Sequence, residues 1–475
     1  MSIHGKKEAV VVGGGVAGIT AATLLAEAGI MVRLIEKRPL LGGRASSYLD
    51  VQTGERVDEC QHGTLRCCTH LAALFTRLGI SDQLRYFDSL TFIDGDGKLS
   101  NISSSWLPAP LHTSISFLIF KSLKLKDKTA IANGMLHMLR SPSKPDLDNI
   151  NTAQWFKATG QTERAISRFW RPILVSACNE EPEFISCRHS FKVFRDAFLA
   201  NRNGFHFGVP TKPLASLYTE PTIKFIEDRG GCVQTRTTVV KLNAYENGIN
   251  SLMLQGGESI CADGYIVTLQ CDLIDRIIPA EIIGINPGYW EHLMDISLVP
   301  IMGVHLWFKE TIDCPPALAL LDRKMEWIFN RSLLYKSAEN AGTFLSLVVS
   351  ASRNYEGIPK DEIVKTALQE IHEVLPDTAS FQPTRTAVVR WPRATLSPRP
   401  GVDGYRPGTD CGADNLFIAG EWTNTGWPST MEGAARSGYA AATALLTRWG
   451  FSPPAAIPDL PVEGLSKFLL RKWDI

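Results

Sequence analysis

The chain has 475 residues, about three times the length of a usual single domain, so two domains or one elaborated α/β enzyme are expected and a small disulfide-stapled scaffold is excluded. Hydrophobic residues make up 44% and charged residues 21%, the balance of a globular protein with large cores, which argues against extended disorder. Lys plus Arg and Asp plus Glu both number 49, so the overall charge selects no polyanion and no nucleic acid partner is expected. No stretch approaches the roughly 20 consecutive apolar residues of a spanning helix, because His305 interrupts the run from Leu298 to Phe308. The apolar run from Ala9 enters a glycine turn rather than a cleavage site, so a cytoplasmic location is expected. The ten cysteines include the neighbours Cys67 and Cys68 but no CxxC, which indicates neither a metal site nor a disulfide framework.

Ala9 to Val12 is predicted as a short buried strand, followed by the turn Gly13-Gly14-Gly15-Val16-Ala17-Gly18 and an apolar-periodic helix to about Ala28. In such a unit Gly13 permits the tight turn, Gly15 lets the backbone approach a pyrophosphate and Gly18 lets helix and strand pack closely, while the helix N-terminus supplies donors and positive potential. A second strand, Met31 to Ile35, ends in Glu36 and Lys37, placing an acidic acceptor for ribose hydroxyls eighteen residues beyond Gly18. This context, more than the glycine spacing alone, marks a dinucleotide site.

Leu41-Gly42-Gly43-Arg44-Ala45 comes next, and an arginine after two glycines offers phosphate a planar donor fork. The segment resembles the GGR stretch that follows the dinucleotide fold in the flavin amine oxidase and phytoene desaturase superfamily, where it lies beside the FAD phosphates. The resemblance implies an α/β, glutathione reductase-like flavoprotein: a Rossmann-type FAD-binding domain interleaved with an α+β substrate domain. FAD is the implied cofactor, held by Gly13, Gly14, Gly15, Ala17, Gly18, Glu36, Lys37, Gly43 and Arg44. Residues 1–85, 211–275 and 406–450 are assigned to the FAD-binding domain. Residues 86–210, mainly helical, and 276–405 are assigned to the substrate domain, and 451–475 to a Pro-rich linker with an amphipathic tail.

Between the ends, helical patterns run from about 105 to 200 and strand patterns from about 232 to 270 and 298 to 350, without internal repeats. Val239 stands in the strand that contacts the adenine side in related flavoproteins; ordinary strand core is the other reading. The stretch Trp106 to Leu125, with Leu111, Ile115, Phe117, Leu118, Ile119 and Phe120 ahead of Lys121, Lys124, Lys126 and Lys128, reads either as an interfacial membrane anchor or as a core helix. The basic, apolar tail from Leu465 to Trp473 reads the same two ways. Peripheral contact with the cytoplasmic membrane face is therefore an expectation.

Near the C-terminus a short strand, Asn415 to Ala419, ends in Gly420-Glu421, and a long helix begins near Met431. Its small residues, Gly433, Ala434, Ala435 and Gly438 among them, permit close approach to a flat ligand or another helix. In the superfamily this strand and helix return to the first domain and cap the flavin, which places Gly420 and Glu421 by the ribityl–phosphate part and Met431 at the helix start. A helix N-terminus aimed at the pyrimidine ring favours negative charge there by on the order of 1 kcal/mol, so reduced FAD is a plausible working state. Gly95 with Gly97 and Gly230 with Gly231 read as turns, leaving a single nucleotide fingerprint. Electrons are accordingly expected from an external donor.

Several segments also resemble hydroxysqualene dehydroxylase, a flavoenzyme of squalene and hopanoid biosynthesis: Gln61-His62 within Asp58 to Thr69, Trp106 to His112, Phe169 to Asn179, Phe198 to Arg202, Val304 to Phe308 and Thr425 to Ala434. Glu59-Cys60 departs from the small residues expected before Gln61. The resemblance implies reductive removal of the hydroxyl of hydroxysqualene, giving squalene, with upstream prenyl-synthase enzymes as pathway partners. A carotenoid (phytoene-type) desaturase and a non-catalytic isoprenoid-binding protein on the same fold are the alternatives. An allylic hydroxyl leaves as water only when protonated, and His62, whose unperturbed pKa lies nearest neutrality, is the candidate donor or its organiser. A histidine bonded to backbone is the competing reading. Glu432 is the reserve acid, or a helix cap. Trp427 is placed against the flavin, in the substrate tunnel or in ordinary packing.

Overall fold

The computed structural model describes residues 7–51, 54–141, 145–335 and 342–470. Glu8–Val12 forms the central strand of a five-stranded parallel sheet ordered Cys232–Gln234, Met31–Ile35, Glu8–Val12, Gly264–Val267, Leu416–Ile418. Val10 to Val12 are buried, as parallel strands covered on both faces must be. Three distant stretches of chain thus share one sheet, and both ends of the sequence contribute.

Helices Val16–Glu27, Leu214–Glu227 and Met431–Arg448 are among those that cover one face. Val16–Glu27 is buried from Val16 to Ala26, and its threonine hydroxyls turn inward, Thr20 to the Val16 carbonyl and Thr23 to that of Ile19, both at 2.8 Å. Met431–Arg448 packs across it so closely that a Cβ at Gly438 would collide with the Ala17 carbonyl oxygen. The other face is closed by a three-stranded antiparallel sheet, Val239–Tyr245, Gly248–Leu254 and Ser259–Cys261. Ile277, Ile282, Trp290 and Ile296 share the core of Val10, Val12 and Val267, so residues 276–296, assigned from sequence to the substrate domain, pack with the cofactor domain instead. The physical reason is their dense isoleucine content, which finds its apolar partner on the parallel sheet.

The second unit is a seven-stranded sheet ordered Arg385–Leu396, Leu298–Phe308, Thr343–Val349, Trp327–Asn330, Ala317–Leu320, Ser89–Ile93, Leu99–Ser103. Its pairs are antiparallel except that of Ala317–Leu320 with Ser89–Ile93. A helical layer, including Leu125–Arg140, Arg171–Cys178 and Cys187–Phe194, builds an aromatic core in which Trp170 meets Phe194 edge-on at 4.7 Å. Two wide π turns, Ile166–Trp170 and Arg195–Leu199, interrupt this layer. Such turns recur at functional sites. Among the described residues no helix is long and apolar enough to cross a membrane.

His305 lies on Leu298–Phe308, the strand next to the edge of the second sheet, fully buried, with Nδ1 3.1 Å from the Ser346 hydroxyl. Burial pulls its pKa down to about 4 from 6.5. Between those values the unfolded chain binds a proton that the folded chain refuses, so this contribution to stability is present above pH 6.5 and lost as pH falls towards 4. His305→Gln is expected to flatten the fall in stability between pH 6.5 and 4, measured by urea unfolding.

Candidate flavin and substrate site

The cradle is built at the C-terminal ends of the parallel strands. Gly13 adopts φ +105°, and the turn it opens brings Gly15 beside the Gly42-Gly43 loop, with the Gly42 amide donating to the Gly14 carbonyl at 2.8 Å. A Cβ on Gly15 would meet only the Gly43 Cα, at 3.9 Å, and Gly15 itself has ordinary extended backbone at φ −74° and ψ 177°. The fold therefore tolerates a side chain at Gly15, and its glycine keeps clear a space that a phosphate fits. Gly18 differs, since its Cβ would strike the Gly13 carbonyl oxygen.

Glu36 is buried, and its carboxylate accepts from the Gly14 amide at 2.7 Å and the Arg38 amide at 2.8 Å. Lys37 points outward and is exposed, whereas its neighbour Arg38, which the sequence reading passed over, donates to the Gly43 carbonyl at 3.0 Å and pairs with Glu59 at 3.3 Å. Arg38 is thus the side chain that holds this loop. Val239 is half-buried at the start of the antiparallel sheet, just beyond Thr237, whose amide donates to the Glu36 carbonyl at 3.0 Å.

Arg44 reaches across to the other end of the chain and donates to Glu421 at 2.5 Å. The neighbouring carboxylate holds the Arg44 guanidinium above its ordinary pKa against the opposing effect of burial. Glu421 keeps its second carboxylate oxygen, Oε1, buried without a hydrogen-bond partner among the described residues. A buried oxygen left in that state wants a donor, which a ribityl hydroxyl supplies. Gly420 is held by its amide on Ser437 at 2.9 Å, and Met431 opens the last helix, its sulfur 3.7 Å from the Tyr218 hydroxyl. The open space at Gly15, the orphaned Glu421 oxygen and the positive helix ends fit a dinucleotide with a hydroxylated linker.

Beside the start of the last helix lies an apolar cavity walled by Leu65, Leu71, Phe92, Ile173, Phe198, Phe207, Trp327, Trp427 and Met431. Trp427 thus faces this cavity. His62 is half-buried next to Gly63 and Thr64, which line it. Its Nδ1 lies 3.0 Å from the Cys60 carbonyl, which can only accept, so Nδ1 carries the proton. Burial also pulls its pKa below the ordinary value, leaving a ring that is neutral at pH 7 with Nε2 as a lone pair. The Cys60 bond is that of the backbone-bonded reading, and it leaves Nε2 free as a hydrogen-bond acceptor. Glu432 is fully buried, and its oxygens accept from the amides of His70 at 3.1 Å and Leu71 at 2.8 Å and from Arg436 at 2.8 Å. It caps the helix Thr69–Arg77, whose own N-cap residue, Cys68, offers no side-chain bond. The bonds present are those of the cap reading.

A buried network was not foreseen. Asp58 accepts from Arg331 at 2.6 Å, Tyr335 at 2.7 Å and Ser47 at 2.6 Å, and Arg331 also bonds Gln61. It ties the loop bearing His62 to the second sheet. Its sequence signal was the polar start, Asp58, of an otherwise family-like stretch; Arg331 carried none. Of the described residues, Asp148, His189 and Asp403 have the spacing to hold a metal ion, but Arg406 at 3.0 Å and Arg188 at 3.4 Å already neutralise Asp403.

The family of flavin containing amine oxidoreductases matches residues 16–446. This chain belongs to that family. It is an oxidoreductase with FAD as its cofactor. It is 26% identical to a zeta-carotene desaturase of Zea mays over 91% of this chain and 82% of that one. With 15-cis-phytoene desaturase of Solanum lycopersicum it shares 25% identity over 92% and 77% of the two chains. Among solved structures, a redesigned putrescine oxidase superposes with a TM-score of 0.70 at 16% identity, covering 93% of this chain and 99% of the other. Cyclohexylamine oxidase from Brevibacterium oxydans gives 0.67 at 18%, covering 94% and 100%. These likenesses at low identity establish the shared fold.

Gly15→Ala separates cofactor binding from folding. The variant is expected to melt like the wild-type apoprotein yet to carry at least about tenfold less flavin, read from the ratio of flavin to protein absorbance, because its methyl enters the phosphate space.

Proposed function

We propose that this oxidoreductase acts on a long isoprenoid polyene, and that its reaction is the reductive dehydroxylation of hydroxysqualene to squalene, with electrons from an external donor. The observation that carries the reading is the apolar cavity against the start of the last helix, where Met431 and Thr430 form its wall. An isoprenoid chain gains about 0.8 kcal/mol for each methylene-sized unit it buries in such a place. The segments that resemble hydroxysqualene dehydroxylase, from Gln61-His62 to Thr425–Ala434, support the choice of substrate. FAD, when bound, supplies two-electron hydride chemistry.

The chain's own residues do the rest. Glu36 and the amides of the first turn orient the nucleotide end, Arg44 and Glu421 fix the join between the two chain ends, and the aromatic walls exclude water from a carbocation-like centre. His62 keeps its proton on Nδ1 and presents Nε2 as an acceptor.

Carotenoid desaturation is the second reading, and the relatives named zeta-carotene and phytoene desaturases favour it. Purified holoenzyme given hydroxysqualene or phytoene, each with a reductant and with an oxidant, decides between them. Squalene formed only with reductant is the expected outcome. Desaturated phytoene formed with oxidant, and hydroxysqualene left untouched, would establish the second reading instead.

We further propose that the enzyme meets its substrate on an anionic bilayer. Trp106, Leu118, Ile119 and Leu125 are 64–79% exposed, and the tail carries Phe468 at 86%. The Ser466 amide donates to the Ala109 carbonyl at 3.1 Å, so the two segments read separately as anchors stand side by side. Lys121, Lys124, Lys126 and Lys467 are exposed on the same segments and complement anionic headgroups. Liposome flotation is expected with anionic vesicles and to fall on Trp106→Ser with Phe468→Ser; sedimentation of the wild type away from vesicles would reject the surface.

A further inference from the structure

An ion pair in an apolar cavity needs a reason, because desolvating two charges costs as much as their attraction returns, and well-packed apolar residues serve stability equally well. Lys192 is 5% exposed, and its Nζ lies 2.7 Å from Asp196 and 4.7 Å from the centre of the Trp427 ring. Lysine four residues ahead of an acid is also the weaker orientation of such a pair on a helix. Among the described residues lining the cavity, Lys192 is the one cation. The π turn Arg195–Leu199 begins directly beyond its helix and carries Asp196.

The other polar groups of the wall are committed elsewhere. Glu432 is spent on the helix cap and Arg436. The Ser176 hydroxyl donates to the Pro172 carbonyl and accepts from Trp327, and Thr430 caps the last helix through the Gly433 amide. Two donors remain. Lys192 engages only the Asp196 carboxylate and the face of the Trp427 ring, and the Trp427 indole N–H is buried with no hydrogen-bond partner among the described residues. An ammonium and an indole N–H bring donors, and the Asp196 carboxylate, whose Oδ2 also lacks a hydrogen bond among the described residues, brings an acceptor, so the cavity is equipped for one hydroxyl, which can both accept and donate, at the end of an otherwise apolar molecule.

From this we infer that Lys192, assisted by Trp427, is the specificity-determining group that hydrogen-bonds the hydroxyl oxygen of a long isoprenoid alcohol. The inference deepens the dehydroxylation reading and rests on it: a pure hydrocarbon offers these donors nothing and would leave them desolvated, whereas an alcohol satisfies them.

The test is binding to the holoenzyme in detergent micelles, followed by tryptophan fluorescence, with hydroxysqualene and squalene as probes. Wild type is expected to hold the alcohol about ten- to a hundredfold tighter than the hydrocarbon, as a charged hydrogen bond dictates. Lys192→Met abolishes that preference at unchanged flavin content, and Lys192→Arg keeps most of it. Since Lys192→Met leaves Asp196 unpaired, the double variant Lys192→Met/Asp196→Asn removes both charges together and is expected to bind the two probes alike. Retention of the wild-type preference by the double variant overturns the assignment. Wild type that converts hydroxysqualene while binding both probes equally sinks the role of Lys192 alone. Wild type that shows no preference, makes no squalene and desaturates phytoene sinks the parent reading with it.

Discussion

Gly438 lies so close to the Ala17 carbonyl that no side chain fits between the first and last helices, and this contact governs the rest of the molecule. It sets the last helix against the first, and with it the strand Leu416–Ile418 against Gly264–Val267. The Arg44–Glu421 pair stands at the mouth of that junction and is shielded enough to be worth more than a surface ion pair. Remove the close approach and the start of the last helix leaves both the cradle and the cavity, since Met431 serves both. Small residues here trade core volume for proximity: Gly438, Ala441 and Ala442 bury little apolar area, and the helix Val16–Glu27 compensates by being enclosed on every side.

The cavity repeats this logic with larger side chains. Its floor comes from Trp427 and Met431 of the cofactor-facing segment, its walls from the helical layer and from Phe92 and Trp327 of the second sheet. Substrate and cofactor sites therefore share one boundary, and the Asp58–Arg331 pair fixes the loop that crosses it. Buried with no exposure on either side chain, that pair costs desolvation and contributes register instead, locking residues 56–62 to the strand Trp327–Asn330.

The nucleotide unit was legible because its signals are local. Strand, glycine turn, helix and acidic residue fall within thirty residues, and the strand Met31–Ile35 was placed to the residue. Less legible was whatever depends on partners far along the chain. Residues 276–296 looked like the neighbour they precede, and only the isoleucine-rich surface of the parallel sheet claims them. Glu432 beside its own helix start suggested a cap or an acid, and it caps a helix some 360 residues away in sequence. His62 carried a reference pKa that burial and one carbonyl reset. Lys192 with Asp196 reads as any solvated helix pair; a signal was present in the phenylalanines that surround it, Phe191, Phe194 and Phe198, which make a dry face of that helix.

The parallel sheet carries a consequence for biogenesis. Its edge strand, Leu416–Ile418, pairs with Gly264–Val267, which lies about 150 residues earlier in the chain and in turn pairs with Glu8–Val12. Pairings of such sequence separation form slowly, and until they do the apolar edge at Gly264–Val267 stays open to solvent and to other chains. The candidate flavin pocket thus closes only once segments as distant as Arg44 and Glu421 have met.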